Sequence, residues 1–121
     1  MPTKYEMPMY EEIPMVKGMH NDYMLIVTDD VTGEPFHLAY VKSIKVGFYK
    51  SPDLDTSSLA FLGNATVDSA PKGRIWIQVT PEQTQVVSSG EILYLSAELE
   101  MFDGQIIKVP IPPQIVKVIE R

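Results

Sequence analysis

The chain contains no cysteine. That absence excludes a disulfide scaffold, a thiol nucleophile, an iron–sulfur cluster and any zinc site built on thiolates. It is compatible with assembly in a reducing cytoplasm. A basic face is missing as well. Ten Lys and Arg residues are scattered among sixteen Asp and Glu, for a net charge of −6 and a pI of about 4.8. Nucleic-acid binders draw most of their affinity from neutralised phosphates, so no nucleic-acid partner is expected. Lys42, Lys45 and Lys50, the nearest approach to a basic cluster, read as a solvated face. No apolar run approaches the ~20 residues of a membrane-spanning helix. The opening MPTKYEMPMYEEIP lacks the basic start and apolar centre of a signal peptide. Neither a membrane partner nor a secretory route is expected.

Recognisable catalytic patterns are equally scarce. There is no Walker loop and no G-x-G-x-x-G, and Ser88-Ser89-Gly90 is not a G-x-S-x-G elbow. His20 and His37 are the two histidines, and neither has a ligand or dyad partner at motif spacing. Asp29-Asp30 and Asp53-Leu54-Asp55 lack the further oxygens and the glycine of a calcium loop and read as turn formers. Glu98 and Glu100 share one face of a strand. Such a pair can serve glycoside hydrolysis, but here it lies on a solvated face just before a hairpin. The expectation is a protein without catalytic residues, metal ligands or cofactor.

What the sequence does contain is period-two alternation. At 121 residues, 45% of them hydrophobic, the chain suits one domain with its own core. Tyr23 to Thr28 reads as a strand apolar enough to be buried on both faces. A turn through Gly33 and Pro35 follows, and a second strand is expected from near Phe36. Ile44 to Tyr49 alternates apolar and polar residues, and Leu59-Ala60-Phe61-Leu62 starts another strand that continues towards Val67. In Arg74-Ile75-Trp76-Ile77-Gln78-Val79 the aliphatic residues point one way and Trp76 the other. Thr80-Pro81-Glu82-Gln83 has the residues of a capping box with proline at the first helical position. From Ile92 to Met101, Leu93, Leu95, Ala97, Leu99 and Met101 share one face. Asp103-Gly104 predicts a hairpin, after which Gln105 to Val109 pairs back. Pro110, Pro112 and Pro113 interrupt, and Ile115 to Ile119 is the last strand. Seven to nine short antiparallel strands without a long helix predict an all-β fold, an immunoglobulin-like β-sandwich with a small β-barrel as the alternative.

Residues 1–21 are set apart from the domain of residues 22–121. Met1, Met7, Met9 and Met15 alternate with Pro2, Pro8 and Pro14, and Tyr5 and Tyr10 are interleaved. Proline disfavours a helix, while methionine and tyrosine are unusual in a solvated tail and adapt to apolar surfaces. The segment reads as an extended arm for a neighbouring molecule, with Tyr5, Met7, Met9 and Tyr10 as contacts, or else as an N-terminal strand lying on its own domain. The outward Trp76 is a large apolar area that asks for cover. Cover can come from the arm, from a protein partner or from a stacked sugar, and Tyr94 is a candidate for the same patch.

Between Asp22 and Val118 the chain resembles the immunoglobulin-like domains of tailed-phage structural proteins, in particular the N-terminal domain of the baseplate upper-protein family. The resemblance is carried by Leu25-Ile26-Val27-Thr28-Asp29 leading to Gly33-Glu34-Pro35-Phe36-His37-Leu38, and by Gly73 through Val79. It continues in Thr80-Pro81-Glu82-Gln83-Thr84 with Gly90 and Tyr94, and in the strand into Asp103-Gly104. Where the family carries Leu-Thr-Gly, this chain has Leu38-Ala39-Tyr40. The resemblance implies a non-enzymatic component of a virion assembled in the host cytoplasm. Its place would be the tail, baseplate or neck, with a capsid decoration or cement protein as the alternative. The implied partners are other virion structural proteins and further copies of itself in a symmetric oligomer. A carbohydrate-binding module using Trp76 and Tyr94 is the reading from another class.

Overall fold

The structure, a computed structural model, describes residues 12–29 and 31–120. It is all-β. The strands are β1 (Ile13–Val16), β2 (Asn21–Ile26), β3 (Val41–Tyr49), β4 (Leu59–Ser69), β5 (Arg74–Val79), β6 (Ile92–Met101) and β7 (Ile106–Ile119). They form one sheet in the order β1-β7-β6-β3-β4-β5-β2. Every neighbouring pair is antiparallel except β1 and β7, which run parallel from Ile13↔Val116 to Val16↔Ile119.

The sheet curls until its two ends meet, nearly closing on itself. β4 makes the sharpest contribution. Its first half, to Gly63, pairs with β3, and its second half, from Asn64, pairs with β5. Gly63 sits at that change of partner. A side-chain carbon there would lie 3.1 Å from both Phe48 and Ile77, so its absence lets the two core residues close over the bend. Phe48 is fully buried and stacks on Phe61 with ring centroids 4.9 Å apart. Around it one cluster joins Met15, Val46, Ile75, Ile77, Val79, Leu93, Leu95, Ala97, Leu99, Val116 and Val118.

Local chemistry sets several elements as expected. β5 alternates buried Ile75, Ile77 and Val79 with the outward Trp76 and Gln78. The capping box is complete: the Thr80 hydroxyl accepts from the Gln83 amide, and the Gln83 side chain accepts from the Thr80 amide. The short helix α1 (Pro81–Thr84) follows. The Thr84 hydroxyl donates to Pro81 O at 2.6 Å and accepts from the Gly18 amide at 2.8 Å, tying the β1–β2 turn to the helix. The Met101 amide donates to Gln105 O across the Asp103-Gly104 turn, with Gly104 at φ +92°.

Four expectations are corrected. The first concerns residues 13–21. β1 is a sheet strand, Met15 is fully buried and Asn21 begins β2, so the domain does not start at residue 22. A four-residue strand of Ile-Pro-Met-Val is too short to show a period; its partner β7 supplies the other half of the pattern. The second is β2, which is not buried on both faces. Asp22, Met24 and Ile26 face outward, because the outer face of the sheet is left to solvent there, as at Trp76 and Gln78 of β5. The third is the strand near Phe36. The Phe36 amide donates to Val27 O and the Leu38 amide to Ala70 O, single bonds that leave no ladder before the 3-10 turn at Leu38–Tyr40. The fourth is the break at the prolines. β7 runs through them as one strand, bulging so that Val109 pairs with Ala97 and Gln114 with Leu95. The prolines, which cannot donate to a ladder, fall in the bulge. The strands are therefore not all short, nor all antiparallel.

Candidate functional site

Of the residues expected to make contacts, Tyr5, Met7, Met9 and Tyr10 lie outside the described residues. Trp76 faces outward and is 37% exposed. Register places it between Met24 of β2 and Thr66 of β4, with Ile26 and Arg74 forming the next row on the same face. Met24, Ile26 and Trp76 thus make an apolar strip at the β2 end of the sheet, and an Arg74–Asp68 ion pair of 3.1 Å borders it. Tyr94 does not belong to this patch. It stands on β6 in a row with Tyr49 and Ile115. β3 and β4 separate β6 from β5, a distance of about 14 Å along the sheet at the usual strand spacing. Period two correctly placed both rings outward, but only strand order decides which outward residues are neighbours.

The second feature is the seam where β1 and β2 meet. The turn of residues 17–20 joins the two strands, yet no backbone ladder connects them among the described residues. Side chains stitch them instead. The Asn21 carboxamide accepts from the Val16 amide at 2.8 Å and donates to the Val16 and Met19 carbonyls at 3.0 Å. The Tyr23 hydroxyl donates to Pro14 O at 2.8 Å. Beyond these contacts the strands part around an apolar groove of about 840 Å³. Ile13 and Pro14 of β1, Tyr23 and Leu25 of β2, and Pro110 and Gln114 of β7 are among the residues that line it. Nothing in the sequence marks this groove, because its walls come from strands far apart in the chain.

Burial pushes the Tyr23 hydroxyl well above the ordinary tyrosine range, and Tyr49 is raised by burial and then by the nearby Glu98 carboxylate. Both shifts favour the protonated phenol in the folded chain. The unfolded chain therefore ionises first as pH rises, and folding stability falls above the unfolded value of about 10. Stability should be insensitive to these groups below that pH and should decline above it. Tyr23→Phe is expected to cost about 1 kcal/mol at neutral pH through the lost bond to Pro14. It should also flatten the alkaline decline, leaving the part due to Tyr49. Urea unfolding from pH 7 to 11 measures both effects.

Several of the polar residues weighed for chemistry have structural occupations. His37 Nδ1 accepts from the Ala39 amide and caps a 3-10 turn. The Asp29 carboxylate accepts from the Val31 and Thr32 amides. Glu100 accepts from the Ser43 hydroxyl and lies 4.0 Å from Lys42, while Glu98 stands in register between Lys45 and Lys108. Lys50 pairs with Glu91 at 3.6 Å. Among the described residues no three His, Asp or Glu side chains converge to hold a metal ion, and no helix is long and apolar enough to cross a membrane. The described residues offer an apolar strip at the β2 end of the sheet and an apolar groove at the β1–β2 seam. No protein-family model matches the chain, and no curated protein matches it.

Proposed function

We propose that the protein is a non-enzymatic structural component of a tailed-phage virion, placed in the tail, baseplate or neck, that docks on neighbouring virion proteins through its outer sheet surface. The observation that carries the docking is the apolar strip of Met24, Ile26 and Trp76 on β2 and its neighbour β5. A clustered apolar area ringed by polar residues is characteristic of protein contact surfaces, and exposed Trp is enriched among residues that dominate binding. The virion part of the reading rests on the resemblance of residues 22–118 to phage immunoglobulin-like domains. A capsid decoration protein is the same proposal at another place on the particle.

The finer architecture is part of this reading. The small barrel is favoured over the sandwich by the unbroken strand order through β4 and by the side-chain stitches between β1 and β2. The carbohydrate reading is weakened by the separation of Trp76 from Tyr94, since one sugar platform does not span both.

The test is incorporation. Particles purified from a lysate in which the wild-type gene is replaced by a Trp76→Asp variant should lose the protein, as measured by quantitative mass spectrometry. Wild-type particles should hold it at a fixed copy number. Circular dichroism of the purified variant checks that it folds. Absence of the wild-type protein from purified particles would refute the proposal, and full incorporation of the variant would remove the strip from it.

A further inference from the structure

We propose that Met24 is an oxidation site that switches the outer apolar strip, its conversion from thioether to sulfoxide abolishing docking; this rests on the docking reading of that strip.

Three observations carry it. The first is access. Met24 faces outward on β2 and is 37% exposed, whereas Met15 is fully buried. Methionine oxidation follows solvent access, so a peroxide reaches Met24 in the folded chain and does not reach Met15. Met19 is exposed as well, but it lies in the β1–β2 turn. Met101 stands on β6, with β3 and β4 between it and β5. Of the described methionines, Met24 alone belongs to the strip.

The second is position. Register sets Met24 directly opposite Trp76, and side chains opposed across two strands have Cβ atoms about 5 Å apart. Ile26 and Arg74 form the row on one side, Asp22 and Gln78 the row on the other. A sulfoxide at Met24 therefore puts a strong hydrogen-bond acceptor in the middle of the strip. Along β2 it finds no side-chain donor, since Ile26 is apolar and Asp22 carries a carboxylate. The Arg74 guanidinium is engaged with Asp68 at 3.1 Å. A partner shaped for an apolar surface strips water from the sulfoxide without replacing the bond.

The third is the chemistry around it. The chain has no cysteine to consume the oxidant first, and Ile26 is inert to it. The oxidant is hydrogen peroxide or an organic hydroperoxide. The sulfur lone pair attacks a peroxide oxygen, and the O–O bond breaks as the S–O bond forms. The departing oxygen takes up the proton and leaves as water or an alcohol. Sulfur gives up two electrons and the peroxide gains them. Methionine sulfoxide reductases reverse the change.

Trp76 is the one tryptophan of the chain, so its emission reports on this strip. Full-length protein is treated with dilute hydrogen peroxide. The expected result is sulfoxide at Met24 with Met15 unmodified by peptide mass spectrometry, an unchanged circular dichroism spectrum, and a shift in Trp76 emission that Met24→Leu does not show. Treated and untreated proteins are then added to particles purified from a lysate that lacks the gene. Untreated wild type should bind, and Met24→Leu should bind whether treated or not. Treated wild type should bind about tenfold more weakly or worse, as should untreated Met24→Gln, whose amide stands in for the sulfoxide. An unmodified Met24, an emission that does not move, or treated wild type that binds as well as untreated overturns the proposal. Loss of binding by treated Met24→Leu assigns the effect to another residue and overturns it too. Failure of untreated wild type to bind is a separate outcome: it refutes the docking reading, and the switch falls with it.

Discussion

Alanine in place of Gly73 is expected to destabilise the fold by about 2–5 kcal/mol, the sum of a left-handed backbone penalty and a forced backbone shift. Gly73 lies at φ +66°, and a side-chain carbon built on it would stand 2.3 Å from Val27 O and 2.9 Å from Phe36 O. Both neighbours are backbone atoms, so no rotamer change relieves the contact. The position is also a junction: the Val27 amide donates to Gly73 O and the Gly73 amide to Ala70 O. Moving Gly73 therefore disturbs the attachment of the loop after β2 to the β4–β5 turn. Gly33 is the control. Its φ of +74° is similar, yet nothing lies within 4 Å of its added carbon. Gly33→Ala should cost only about 1–2 kcal/mol. Urea unfolding of the two variants separates backbone strain from steric exclusion. Equal losses would show that the close approach of Val27 and Phe36 contributes nothing.

The second large effect is expected at Met15. Truncating this fully buried side chain to alanine should remove about 2–5 kcal/mol and lower the thermal midpoint by on the order of 10 °C. Met19, four residues later, is 42% exposed, and its alanine variant should fall within about 0.5 kcal/mol of wild type. The contrast decides whether residues 13–16 are a core strand or a detachable arm. It also sets the expected outcome of a deletion. Removing residues 1–20 takes away β1, the Tyr23–Pro14 bond and the packing of Met15, and should give an unfolded or molten product. Thermal denaturation of the point variants measures the effect. A Met15→Ala protein as stable as wild type would return β1 to the status of an accessory arm.

The elements legible in the sequence are those whose cause is local. Ile75, Ile77 and Val79 alternate with polar residues and Trp76, and alternation alone sets which face each occupies. Thr80 to Gln83 holds both halves of its capping box within four residues. Asp103-Gly104 makes its turn because glycine accepts positive φ whatever lies around it. The outward position of Trp76 was readable for the same reason. β1 was not readable, because four residues containing a proline have no period and their partner lies about a hundred residues away. Phe36 looked like the start of a strand, but its amide is used once, on Val27 O, and the next bond goes elsewhere.

By itself, then, the sequence determined an all-β chain without thiols, the location of its best-defined turns and helix cap, and the faces of its regular strands. Only the tertiary structure decided which strands are neighbours. That decision places Met15 in the core through a parallel pairing with β7, puts Met24 rather than Tyr94 beside Trp76, and brings β1 to β2 across a seam held by Asn21 and Tyr23. The physical reason is that a period of two reports the side of the sheet on which a residue lies. Neighbourhood within the sheet depends on long-range pairing and on where the chain bends, as β4 does at Gly63.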